Sequence, residues 1–357
     1  MLLSFAAVVA FAETTTALDP APTRDRKVIR RFALPEDPRG VAIGADGTIY
    51  VGLARTQSVI AVDPATGAIK NRVVLDHEEI AATKELVTLR TDRSRSRLFI
   101  ANGTDESVSI LSLPDLGVLR EITLEGEIVR DVIPDPLGRY VYVLGRRVRV
   151  FTGDGATELR TIDLADPMAI AVSSNGELLA VVAPENFGNA VATSVSIIET
   201  TNFSEVARDP LQTDKTIEGA LFANRDRSLV ALARDQLFEK PVVSRPARAM
   251  TAEGTSGAMR MKIDFGDLVN SNHVCLPEGS GPQAATLTRT DDLLVYAERR
   301  CSASGTFSGT NRGVTPASLY GISAYALAYD QRSNNLVATD RAGFLTIYSV
   351  PRAAIAK

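Results

Sequence analysis

The chain has 357 residues, 45% hydrophobic and 23% charged, with 39 Lys and Arg against 43 Asp and Glu. A formal charge of −4 argues against nucleic acid as the main partner, because phosphate binding needs a basic surface. The length suits either two ordinary domains or one large all-β domain with a sizeable core.

Leu2 to Ala12 is an almost wholly apolar run that ends in Ala10-Phe11-Ala12, a small-x-small cleavage pattern. Residues 1–12 read as a signal peptide cut before Glu13, although no Lys or Arg precedes the apolar run. The competing reading is a buried N-terminal strand. Thr14-Thr15-Thr16 and Asp19-Pro20-Ala21-Pro22 make 13–24 a linker. The run is shorter than the ~20 residues that cross a bilayer, and no other segment is long and apolar enough. The expectation is export to the periplasm or outside, with no transmembrane segment.

From residue 25 onward the chain reads as one domain. Lys27 to Leu34 is a strand without an obvious sequence neighbour. Then a pattern begins to repeat. Gly47-Thr48-Ile49-Tyr50-Val51-Gly52 is followed by Ser58-Val59-Ile60-Ala61-Val62 and the turn Pro64-Ala65-Thr66-Gly67. Arg97-Leu98-Phe99-Ile100-Ala101-Asn102 is followed by Ser107-Val108-Ser109-Ile110-Leu111 and the turn Pro114-Asp115-Leu116-Gly117. A period of about 40 residues made of short strands predicts a β-propeller.

The predicted blades, each with strands a to d from the inside out, start at Val41, Val87, Val129 and Ala169. In the fourth, strands b and c are 178–182 and 194–198. The fifth starts near Ala220 and then breaks: Asp235 to Gly257 carries Pro241 and Pro246 and reads as an insertion or an irregular strand. The sixth starts near Ala284, and Cys301 to Val314 reads as a loop rich in Ser, Gly and Thr. The seventh, from Tyr325, has three strands before the sequence runs out, so 27–34 is expected to supply its fourth. Seven blades follow, with the N-terminal strand completing the C-terminal blade.

These segments resemble the Tyr-Val-Thr-Asn type of propeller repeat found in surface-layer, lactonase-like and cytochrome-d1-like propellers. Phe99-Ile100-Ala101-Asn102 with Ser107-Val108-Ser109-Ile110 is the nearest match. The resemblance implies the fold and brings no catalytic residues with it. It also implies that the d–a and b–c connections share one, functional, face.

Sorted by that implication, the d–a connections are acidic: Glu36 and Asp37; Asp76, Glu78 and Glu79; Glu125 and Glu127; Asp166; Asp214 and Glu218. Arg39, Lys84, Arg130 and Lys215 dilute them. A field focused on this face would favour a small cationic ligand or a divalent cation, whereas solvated loop charges would contribute little. The ligand-face candidates are Glu36, Asp37, Arg39, Glu79, Glu125, Arg130, Asp166, Asp214 and Glu218. His77 and His273, the chain's 2 histidines, fall in d–a connections and are the candidates for a ligand or general base. Cys275 and Cys301 flank the first two strands of the sixth blade and are expected to form a disulfide, which an exported chain permits.

Gly-x-Ser-x-Gly, His-Glu-x-x-His, Walker and Cys-x-x-Cys-His motifs are absent from the sequence. No resident cofactor is evident. Two functions stay open. One is a monomeric, exported binding or scaffolding module that takes a protein partner through long polar loops after strand b in blades four to six. The other is a lactonase-type hydrolase with a cation on the acidic face.

Overall fold

The computed structural model describes residues 28–35, 37–75, 87–102, 106–187, 190–211, 213, 216–223, 226–233, 237–246, 261–265, 269–271, 282–287, 293–298, 304–308, 314–315, 324–330, 332–340 and 342–349. Among them no helix occurs. Strand β1 (Val28–Ala33) comes first. Then β2 (Pro38–Ile43), β3 (Ile49–Leu53), β4 (Ser58–Val62) and β5 (Ile69–Val74) form an antiparallel meander. The next is β6 (Val87–Thr91), β7 (Arg97–Asn102), β8 (Ser107–Ser112) and β9 (Val118–Thr123). It is followed by β10 (Asp131–Pro134), β11 (Tyr140–Leu144), β12 (Val148–Thr152) and β13 (Glu158–Ile162).

A fourth meander has β14 (Ala169–Val172), β15 (Leu178–Phe187), β16 (Ala190–Glu199) and β17 (Ser204–Pro210). After it come β18 (Ile217–Ala223), β19 (Ser228–Ala233), β20 (Leu237–Pro246) and β21 (Met261–Phe265), with β22 (Val269–Ser271) also paired to β20. The next sheet is β23 (Pro282–Leu287), β24 (Leu293–Glu298), β25 (Ser304–Ser308) and the short β26 (Val314–Thr315). Last are β27 (Ala324–Asp330), β28 (Asn335–Asp340) and β29 (Phe344–Ser349). Their outer partner is β1, with Phe32 opposite Leu345. The first strands touch in order: β2 on β6, β6 on β10, β10 on β14, β14 on β18, β18 on β23, β23 on β27, and β27 on β2.

Each apolar layer lies between two neighbouring sheets. Ile49, Val51, Ile60 and Val62 pack with Phe32, Leu345 and Ile347 on one side. Tyr50, Val59 and Ala61 pack with Leu98, Ile100 and Leu111 on the other. A strand buried on both faces reads as a continuous apolar run, and β3 and β4 are buried at every residue. The outer strands show the reverse: in β5 and β9 almost every side chain is exposed or half-buried.

Those outer strands share a device. In β1, β5, β9, β13 and β17 the register slips by one residue near the strand's start. The extra residues are Ile29, Lys70, Leu119, Leu159 and Val206. A bulge twists an outer edge away from further pairing and re-aims the side chains beside it. In three cases the next residue reaches a turn carbonyl of the following sheet: Arg30 donates to Pro64 O at 2.8 Å, Asn71 to Asp115 O at 2.8 Å and Arg160 to Asn202 O at 3.2 Å.

The strand layout departs from expectation in several places. The expected polar loop after strand b of the fourth meander is instead an extension of β15 and β16 to ten residues each. Pro184 suggested a break, but it stands where the strand's backbone turns away from β16. Its opposite number Thr193 bonds outward, to Thr213 O and from Leu211 N, so no ladder bond is lost. Residues 237–246, expected to be either an insertion or an irregular strand, form the strand β20 paired with β19. Pro241 falls between the stretch paired with β22 and the stretch paired with β21, so its missing N–H costs no outer bond. The expected loop from Cys301 to Val314 contains β25, where Phe307 and Thr306 sit among small residues of low strand propensity. The sheets built on β2 and β10 also begin at Pro38 and Asp131 rather than at Val41 and Val129.

Turns between first and second strands are closed by carboxylates that accept several hydrogen bonds, Asp92 buried, Asp330 half-buried and Asp46 exposed. Burial pushes the Asp92 carboxyl up, but hydrogen bonds from Ser94, Arg97 and Ser96 outweigh it and hold it below 3.8. Asp330, with Ser333 and Arg332, and Asp46, with Thr48, are likewise held below 3.8 despite desolvation. A folded pKa below the unfolded one adds stability that is complete above the unfolded value. That stability is lost as pH falls through the folded value. The urea midpoint is therefore expected to drop as pH falls below about 4, and to drop less in Asp92→Asn. An identical acid profile in that variant would contradict this account.

Candidate functional site

Antiparallel order puts the connections between sheets and the turns between second and third strands on one face. Asp37 opens it. Its Oδ2 accepts from Arg39 Nε at 3.0 Å and Nη2 at 2.7 Å. Thr339 Oγ1 donates to Arg39 O at 2.8 Å, tying the first and last sheets together at this mouth. Glu125 is exposed in its turn. Arg130 is half-buried, its N–H donating to Leu144 O at 2.7 Å. Next to it, on innermost strands, Arg90 Nη2 bonds Asp131 Oδ2 at 3.1 Å, and the Asp131 charge raises the Arg90 pKa.

Glu127 lies deeper. Its Oε1 accepts from Arg149 Nη2, and Arg149 Nη1 also donates to Glu158 Oε2 at 3.0 Å. The hydrogen bond to Glu127 is the main reason the Arg149 pKa is raised. Gly145 makes room for this carboxylate, since a Cβ there would come within 2.7 Å of Glu127 Oε2. Asp163 lies 3.7 Å from Arg147, and Asp166 is exposed. Glu218 is exposed at the start of β18.

Several carboxylates of this face are thus matched by arginines, whereas Glu125 and Asp166 stand exposed. Asp37, Glu127, Asp131 and Asp163 each have an arginine partner. Among the described residues no three of His, Cys, Asp and Glu converge to hold a metal ion. Glu36, Glu79, Asp214, His77, His273, Cys275 and Cys301 lie outside the described residues.

Several residues here had no expected role. Arg149 and Arg90 are charged residues inside strands otherwise apolar or small, a signal that period-2 reading could have raised. Lys240, 3% exposed, bonds Pro210 O at 2.8 Å and pairs with Asp209, clamping the fourth and fifth sheets. Its signal was hidden by the flanking Pro241.

The most prominent feature of the face is the β15–β16 ribbon. Phe187 pairs with Ala190, leaving two residues, Gly188 and Asn189, between the strands. The second strands β3, β7 and β11 have five or six residues where β15 has ten. At about 3.3 Å per residue the ribbon projects roughly 15 Å further than its counterparts. Arg208 braces its base, bonding Glu185 Oε1 at 3.3 Å and Glu205 Oε2 at 2.6 Å.

No family model and no curated protein sequence matches the chain. Its structure is similar to the crystal structure of the β-propeller domain of Cps50 (Swd1) from Myceliophteria thermophila. The TM-score is 0.66 at 12% identity, over 91% of this chain and 99% of that one. At that identity the likeness speaks for the fold alone: the chain folds as a β-propeller.

Proposed function

We propose that this β-propeller has seven blades and is an exported binding or scaffolding module. Its contact surface is the face that carries the sheet-to-sheet connections. The β15–β16 ribbon is the observation that carries the reading. Neighbouring second and third strands stop at the turn, whereas these two continue into space as a braced arm. The other sheets form their apolar layers without such an arm, and irregular surface features on a rigid scaffold are where binding residues collect. Ion pairs around it favour a polar partner surface over an apolar one.

The experiment compares the full chain with one in which residues 185–192 are replaced by a two-residue turn, which keeps Pro184 opposite Thr193 and the Thr193 backbone bonds to Leu211 and Thr213. The fold is expected to persist with an unchanged melting midpoint. Capture of one defined partner from an envelope extract is expected with the full chain and not with the shortened one. The full chain recovered from that extract is expected to begin at Glu13. Equal capture by both chains would remove the arm from the contact surface. Capture of nothing, together with lactone hydrolysis that a chelator abolishes, would replace this reading by the metal-assisted hydrolase.

A further inference from the structure

A recess of about 510 Å³ opens on the same face, between the β11–β12 turn and the chain leaving β13. It is lined by Arg146 and Arg147 from the turn, Asp163 and Asp166 from the chain leaving β13, and the apolar Leu164 and Ala165. Its frame is fixed. Gly145 N–H donates to Arg147 O at 3.0 Å, and Leu164 N–H to Ile162 O at 3.0 Å. Leu164 packs back against the layer that holds Tyr142, Leu144 and Ile170. Asp166 holds its position with φ of +41°, a conformation Asp tolerates better than most residues.

The charges are only loosely committed to each other. Arg147 and Asp163 are 3.7 Å apart, with side chains 58% and 88% exposed, so a ligand displaces that contact at little cost. Arg146 and Asp166 make no ion pair among the described residues. A simple anion would meet the two aspartates, and a simple cation the two arginines. A molecule carrying both charges satisfies both sides, with its carboxylate on the guanidinium forks and its ammonium on the carboxylates. Leu164 and Ala165 give an apolar side chain a surface to rest on in this open recess.

We infer that this recess binds a small zwitterion, an α-amino acid with an apolar side chain. The inference rests on the reading of this face as the binding face and names a ligand class for it. Calorimetric titration of the full chain tests it with three probes. These are L-leucine, 4-methylpentanoate, which lacks the ammonium, and 3-methylbutylamine, which lacks the carboxylate. Leucine is expected to bind at least tenfold more tightly than either half-ligand. Arg146→Gln combined with Arg147→Gln, and separately Asp166→Asn, are each expected to weaken leucine tenfold or more. All three side chains are exposed, so melting midpoints should not move.

Leucine binding no tighter than a half-ligand, or unchanged in both variants, overturns the inference. The chain with the shortened ribbon separates the two readings. Leucine binding there with partner capture lost supports both. Absent leucine binding with partner capture intact in the full chain overturns the zwitterion site alone.

Discussion

Phe32→Ala is expected to destabilise the protein by about 3–5 kcal/mol, the range for removing a buried aromatic side chain. Phe32 belongs to β1, more than 300 residues away in sequence from its partner Leu345. Its ring is 7% exposed and packs with Val41, Ile43, Ile60, Leu345 and Ile347, so it joins the last sheet to the first. It also lies directly over Gly67, where a Cβ would come within 2.3 Å of the ring. The variant empties that space and loosens the strand that completes the last sheet. Ile29→Ala, at the exposed bulge of the same strand, is the control and is expected to change stability by less than about 0.5 kcal/mol. Urea unfolding of both variants checks this. A cost below about 1 kcal/mol for Phe32→Ala would mean that β1 contributes little to closure.

Arg139→Leu is expected to cost about 3–5 kcal/mol, because it strands a buried carboxylate. The Asp135 side chain is fully buried, at 0% exposure. It accepts from Arg139 N at 3.0 Å, Nε at 2.9 Å and Nη2 at 3.2 Å. The same guanidinium donates to Gly176 O at 2.5 Å and Thr200 Oγ1 at 3.3 Å, so it also fastens the third sheet to the fourth. The double variant Asp135→Asn, Arg139→Leu is expected to recover part of the loss, since no charge is then left unpaired. A double-mutant cycle reads this coupling. A loss in the double variant equal to the sum of the single losses would deny it.

Much of the fold is legible in the residues themselves. Arg97 to Asn102 and Ser107 to Leu111 announce two adjoining strands by their apolar run and the turn that follows. Each lies between two neighbouring sheets and must be apolar on both faces. The orphan strand at 27–34 is legible for the same reason: Phe32 and Leu34 are apolar residues that need a layer to enter. What failed was strand length wherever proline intervened. Pro184 and Pro241 are permitted because their missing donors fall outside the ladders, and that depends on which neighbour lies alongside. The short β25 and β26 were hidden by a Ser, Gly and Thr composition that reads as loop.

The face of the molecule was harder to read. An acidic surface is a sum over loops, and the sequence shows Glu127 as a member of that sum, while Asp131 and Asp163 stand outside it. In the fold Glu127 meets Arg149, 22 residues on, and Asp131 meets Arg90, 41 residues back. Sorting charges by connection cannot find such partners, because they arrive from strands rather than loops.

The sequence by itself determined the repeat, the strand-only character and the turns, since alternation, apolar runs and Gly-containing turns are local properties of each segment. Only the tertiary structure decided which charges cancel, where a proline is harmless, and which hairpin outgrows its neighbours. Those outcomes depend on the spatial neighbours of each strand, and those neighbours lie tens to hundreds of residues away along the chain.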